Sequence, residues 1–93
     1  MKEEIILVGS GGHAKIVNDI LNEMNGYEIR GVVTNEKLDS FCGLPVLGND
    51  EVLDTYFSRG IRKLAMGIGG FTSNSLREQV YLSLRAKQFE FIN

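Results

Sequence analysis

Glu4-Ile5-Ile6-Leu7-Val8-Gly9-Ser10-Gly11-Gly12-His13-Ala14-Lys15 is the stretch that decides the fold. A short, unbroken apolar run ending in glycine fits a strand buried on both faces, as in a parallel sheet. After the glycines, Ala14, Val17, Leu21 and Met24 recur at spacings of three and four, which is one face of a helix. Strand, glycine loop and helix in that order make the first half of a βαβ unit. Gly9, Gly11 and Ala14 match G-x-G-x-x-A. In that pattern the first glycine allows the tight turn and the second lets a ligand approach the backbone. The small third residue lets helix and strand pack closely. The free N–H groups at the helix start then favour an anion. The closing Gly-Lys-Ser/Thr of an ATPase phosphate loop is missing.

Working outward, Asn25-Gly26 stops the helix and Tyr27–Thr34 reads as the second strand. Residues 35–44 are polar and irregular and read as a loop. Pro45-Val46-Leu47-Gly48 is a third extended piece. Asn49 or Asp50 caps a second helix through Phe57, with Val52, Leu53, Tyr56 and Phe57 as its apolar face and Arg59-Gly60 as its end. Lys63–Ile68 is the next strand, closed by Gly69-Gly70. Ser75 and Glu78 form a capping box for a helix carrying Leu76, Val80 and Leu84 to about Lys87. Phe89–Ile92 is the last strand. Regular alternation predicts an α/β fold, a Rossmann-like three-layer domain with a mostly parallel sheet. The expected exposed edges are Pro45–Leu47 and Phe89–Ile92, the latter with Phe89, Phe91 and Ile92 uncovered.

Composition narrows the function. A chain of 93 residues forms one domain, residues 1–93. Ten basic against twelve acidic residues give a net charge of −2, which argues against a nucleic-acid partner. No apolar run approaches the ~20 residues of a membrane span, so no membrane partner is expected. No signal peptide is visible, and a cytoplasmic location is expected. One cysteine, Cys42, excludes an internal disulfide and reads as an inert thiol, and one histidine limits metal chemistry. No metal site is expected.

In an open α/β sheet, ligands bind beyond the carboxyl ends of the strands, where strand order reverses. Gly9, Ser10, Gly11 and Gly12 stand there, with His13 and Lys15 on the first helical turn. His13 is either a hydrogen-bond donor to an anion or an exposed turn residue, and Lys15 either a phosphate ligand or a solvated one. Gly67, Gly69 and Gly70 fall on the same edge, and two glycine-rich exits can wall a shallow nucleotide crevice. A dinucleotide site also wants an acidic residue closing the second strand. Thr34 and Asn35 stand near there, with Glu36 one residue further, which weakens a nicotinamide reading.

The element Gly11-Gly12-His13-Ala14-Lys15 resembles the N-terminal domain of the sialic acid O-acetyltransferase NeuD/PglD family of sugar acyltransferases. Gly31-Val32-Val33, Gly43-Leu44-Pro45-Val46-Leu47-Gly48, Gly67-Ile68-Gly69, and Asn74 with Arg77 follow in the same order. The resemblance implies a domain that binds a nucleotide-sugar of the UDP type. A left-handed β-helix would follow it in a longer protein and would carry the trimer contacts, the acetyl-CoA site and the catalytic histidine. The chain is then a fragment without catalytic residues or a cofactor of its own, monomeric or weakly dimeric. Carried over, Gly9, Ser10, Gly11, Gly12 and His13 line the phosphate side, Thr34 and Asn35 the uridine or ribose, and Gly67, Ile68 and Gly69 the opposite wall. The family commonly has an acidic pair where Thr34-Asn35 stand. Two other classes remain open: an NAD(P)- or CoA-binding regulatory module, and a structural domain without ligand.

Overall fold

The computed structural model describes residues 2–69 and 74–93. Six strands form one sheet: β1 (Glu3–Val8), β2 (Tyr27–Val33), β3 (Ser40–Phe41), β4 (Leu44–Gly48), β5 (Lys63–Met66) and β6 (Glu90–Phe91). Their spatial order is β3-β4-β2-β1-β5-β6. Every pairing is parallel except β3 with β4. Helix α1 (Gly12–Met24) joins β1 to β2, α2 (Leu53–Ser58) joins β4 to β5, and α3 (Asn74–Ala86) joins β5 to β6. Strand order reverses at β1, because β2 lies on one side of it and β5 on the other.

The apolar run behaves as a doubly buried strand must. Ile5 and Leu7 face one core with Ala14, Val17 and Leu21 of α1. Ile6 and Val8 face the other, with Leu53 of α2, Leu84 of α3 and Phe89. A helical layer therefore lies on each side of the sheet. α1 ends where Asn25 takes the left-handed conformation at φ 58°. Met24 belongs to the expected apolar face but is exposed, as are Ile16 and Ile20. Asn18 of the same helix is buried, and its Oδ1 has no hydrogen-bond partner among the described residues.

Four expectations change. Residues 35–44 are not a plain loop: Ser40 and Phe41 pair with Pro45 and Leu44 in a small antiparallel hairpin. Its turn, Cys42-Gly43, has φ 53° and 79°, the paired positive values that match the twist of a hairpin. Pro45–Leu47 is consequently not a sheet edge, because β4 lies between β2 and β3. The second helix opens as a 3-10 turn over Asp50–Val52, with Asn49 Oδ1 accepting from Glu51 N–H at 3.0 Å, before α2 proper. Finally, Phe89 is not uncovered but fully buried, and Phe91 is half-buried against Tyr81 at 5.1 Å between ring centroids. Gly70, Thr72 and Ser73 lie outside the described residues, as does the side chain of Ser75 in the expected capping box.

Candidate functional site

The site forms where β1 and β5 leave the sheet side by side. Gly9 turns the chain at φ +101°, and its N–H donates to Val33 O at 2.9 Å, which extends the β1–β2 ladder into the loop. A Cβ on Gly9 would stand 3.0 Å from Ile68 Cγ1 and 3.2 Å from the Gly67 carbonyl carbon. The two glycine-rich exits therefore touch. Gly67 is buried under the start of α1: a Cβ there would meet Val8 O at 2.7 Å and Ala14 Cβ at 2.8 Å. Gly67 thus serves close packing, while Ile68 reaches the crevice. A Cβ on Gly69 would come within 3.3 Å of His13 Cβ, so the β5 exit also lies against the first turn of α1.

Gly67→Ala is expected to lower stability by about 2–3 kcal/mol, because the obstructing atoms are backbone and a buried alanine. A thermal melt should fall by about 10–20 °C. Gly12→Ala, where nothing stands within 4 Å, should leave it unchanged.

Gly11 and Gly12 open outward, with no atom within 4 Å of a Cβ at either position. Gly11 caps α1 without a side-chain bond to its amides, and the first turn carries no acidic residue. The amides at this end are therefore offered to whatever binds there. His13 and Lys15 are exposed on that turn, and neither side chain makes a hydrogen bond or ion pair among the described residues.

Beside the loop lies a crevice of about 210 Å³, lined by Val8, Gly9, Val33, Thr34, Asn35, Asp50, Ile68, Leu76 and Val80. At its rim, three side-chain and backbone hydrogen bonds close a ring. Ser10 Oγ donates to Glu36 Oε1 at 2.5 Å. A hydroxyl has one hydrogen, so in the 2.7 Å contact between Ser10 Oγ and Thr34 Oγ1 it is Thr34 that donates. Thr34 Oγ1 in turn accepts from Glu36 N–H at 3.1 Å. Bonds in such a closed chain polarise one another, and the carboxylate makes the short one charge-assisted. The ring ties the β1 exit to the β2 exit. Glu36 and Asp50 join the site alongside the residues expected from the sequence. The ring was not readable from spacing, since it depends on how the 34–36 turn bends back over Ser10.

A larger hollow, about 760 Å³, lies at the amino edge of the sheet among Lys2, Glu3, Glu4, Glu28, Gly60, Arg62 and Lys63. Its charges neutralise one another, and the Glu3 carboxylate bonded to Lys63 holds that ammonium above its ordinary pKa. It stands at the wrong end of the strands for a ligand of this fold. Among the described residues there is no cluster of side chains fit to hold a metal.

Residues 4–84 match the PglD N-terminal domain. The chain belongs to that family. Solved acetyltransferases share its fold. An H141N variant of perosamine N-acetyltransferase from Caulobacter crescentus, in complex with CoA and GDP-perosamine, is 28% identical with a TM-score of 0.81. The match covers 92% of this chain and 39% of that one. The acetyltransferase domain of PglB from Neisseria gonorrhoeae FA1090, in complex with acetyl coenzyme A, is 24% identical with a TM-score of 0.80, over 96% of this chain and 42% of that one. This PglD N-terminal domain thus spans about two-fifths of the length of these solved chains. No curated protein gives a significant match. Among the described residues no helix is long and apolar enough to cross a membrane.

Proposed function

We propose that residues 1–93 form one domain that binds a nucleotide-sugar across the carboxyl edge of its sheet. It would be the substrate-holding part of a cytoplasmic sugar O- or N-acetyltransferase. The observation that carries this is the pairing of an open, uncapped helix start at Gly11-Gly12 with a crevice beside it. The pyrophosphate lies over the amides of Gly12, His13 and Ala14, with Lys15 nearby. The nucleoside enters the crevice by Thr34 and Asn35, and the sugar runs toward Ile68 and Gly69. The crevice alone is smaller than a whole nucleotide-sugar, which accords with a ligand lying partly over the open loop. The likeness to the Caulobacter acetyltransferase in complex with GDP-perosamine supports this class of ligand.

The chain binds substrate rather than catalysing by itself. Acyl transfer needs a positioned base and a bound thioester. The single histidine, His13, stands at the phosphate end in this reading and serves as a donor there. Acetyl-CoA is the cofactor of the complete enzyme in this proposal, and the trimer its assembly. The domain alone is monomeric or weakly dimeric.

Thermal-shift measurement with UDP-sugars, GDP-sugars, NAD(H) and CoA tests the proposal. At tenfold excess over Kd a nucleotide-sugar stabilises by about 1.4 kcal/mol, which raises Tm by about 6–11 °C. UDP-sugars are the expected binders. A shift with GDP-sugars alone moves the base assignment toward that of the Caulobacter enzyme's ligand. A shift only with NAD(H) or CoA makes the domain a regulatory module, and no shift at all makes it a structural one.

A further inference from the structure

We propose that the open edge of the sheet at β6 pairs with the same edge of a second copy of this chain, giving a weak dimer with twofold symmetry. The proposal stands apart from the ligand reading and uses none of the residues that line the crevice. β6 is the outermost strand on its side of the sheet, and among the described residues nothing pairs with its outer flank. Glu90 N–H donates to Arg62 O and Ile92 N–H to Leu64 O, both at 2.9 Å, so these two residues face β5. Peptide groups alternate in direction along a strand, and Phe91 between them therefore turns its own N–H and C=O to the open side. In an antiparallel pair centred on Phe91, each copy's N–H donates to the carbonyl oxygen of the other. At Phe89 the edge is already closed, since its N–H donates to Leu84 O and its carbonyl accepts from Arg85, which fixes the register on Phe91.

The side chains around Phe91 suit a self-complementary contact. Tyr81 of α3 lies against Phe91 with ring centroids 5.1 Å apart, yet stays 42% exposed. A symmetry axis at the Phe91 pair thus brings two aromatic pairs together. Glu78, Tyr81 and Arg85 share the flank of α3 beside β6: Glu78 and Tyr81 line a hollow with Asn93, and Arg85 reaches Phe89 O. A helix rises 1.5 Å per residue, so Glu78 stands ~4.5 Å before Tyr81 and Arg85 ~6 Å after it. Two α3 helices running antiparallel about an axis at Tyr81 then set Glu78 of each copy beside Arg85 of the other. Glu78 and Glu90 balance Arg77 and Arg85, so the edge carries no net charge to repel a like copy. One strand position and one helix flank fall short of the ~800 Å² per partner that a stable dimer buries, so the dimer is a weak one.

Sedimentation equilibrium of the chain from about 20 μM to about 2 mM tests this, with amide hydrogen exchange measured at both ends of the series. The average mass is expected to climb from that of one chain toward that of two. Phe91 N–H is expected to exchange about threefold more slowly in the concentrated sample. Glu78→Arg sets arginine against arginine and is expected to weaken the dimer about tenfold. Ile20→Asp, on the exposed face of α1, is expected to leave it unchanged. Both positions are exposed, and thermal melts verify that both variants fold. No rise in mass up to the highest concentration overturns the proposal. So does a trimer, an unprotected Phe91 amide in the associated state, or a dimer that Glu78→Arg leaves intact. Loss of the dimer through Ile20→Asp places the contact on α1 and overturns the proposal as well.

Discussion

Gly11→Val leaves the domain folded and removes nucleotide-sugar binding, by about a hundredfold or more. The two halves of that expectation have separate causes. Gly11 has φ −89° and ψ −167°, extended backbone that a β-branched residue adopts readily. A Cβ there meets nothing within 4 Å, so the folded chain has room for the side chain. The cost to stability is that of exchanging a glycine N-cap for a poorer one, under about 1 kcal/mol. The same room is what a pyrophosphate needs to reach the amides of Gly12, His13 and Ala14. Valine branches at Cβ and stands across that approach. Calorimetric titration with a UDP-sugar and a thermal melt of the same sample read both halves. Undiminished binding would move the phosphate away from this loop.

Phe89→Ala is expected to cost about 3–5 kcal/mol. In a domain of this size that lowers Tm by about 12 °C or more. Phe89 is fully buried and packs edge to face on Phe57, with centroids 5.0 Å apart at 77°. It joins Ile6, Leu53, Leu64 and Leu84 in the core beneath the crevice. Two hydrogen bonds hold its backbone there: Phe89 N–H donates to Leu84 O at 3.1 Å, and the Arg85 side chain donates through Nη1 to Phe89 O at 3.0 Å. The chain then runs along β5, where Asn93 bonds both Met66 N and Met66 O at 2.7 and 2.9 Å. Residues past the family match at 84 therefore complete the fold. Phe91→Ala, at a half-buried position, should cost clearly less. Equal losses in chemical denaturation would mean that Phe89 is not the anchor of this core.

What was legible in the sequence follows from how local each cause is. The run Ile5–Val8 is apolar at every position, and only a doubly covered strand accommodates that. The glycine loop and the small Ala14 encode close backbone approach, and the Gly67–Ala14 contact is its realisation. The hairpin at Ser40–Leu44 was less visible. Its strands hold two residues each, and one of the two positive φ values falls on Cys42, which is not among the usual turn formers. Met24 has the spacing of a core residue yet is the last residue of α1 and is exposed. Phe89 looked like an edge residue because periodicity says nothing of the Leu84–Phe89 turn that folds it inward. Glu36 was visible as a residue, but its bond to Ser10 joins positions 26 apart and follows from tertiary geometry alone.

The central claim is that ligand binds at the joined exits of β1, β2 and β5. Amide chemical-shift mapping during titration with a UDP-sugar tests it most directly. The largest changes are expected on Gly11–Ala14, Thr34–Glu36 and Ile68-Gly69. Changes centred instead on the amino-edge hollow around Glu3, Glu28 and Lys63, or on the exposed Ile16 and Ile20 face of α1, would contradict it.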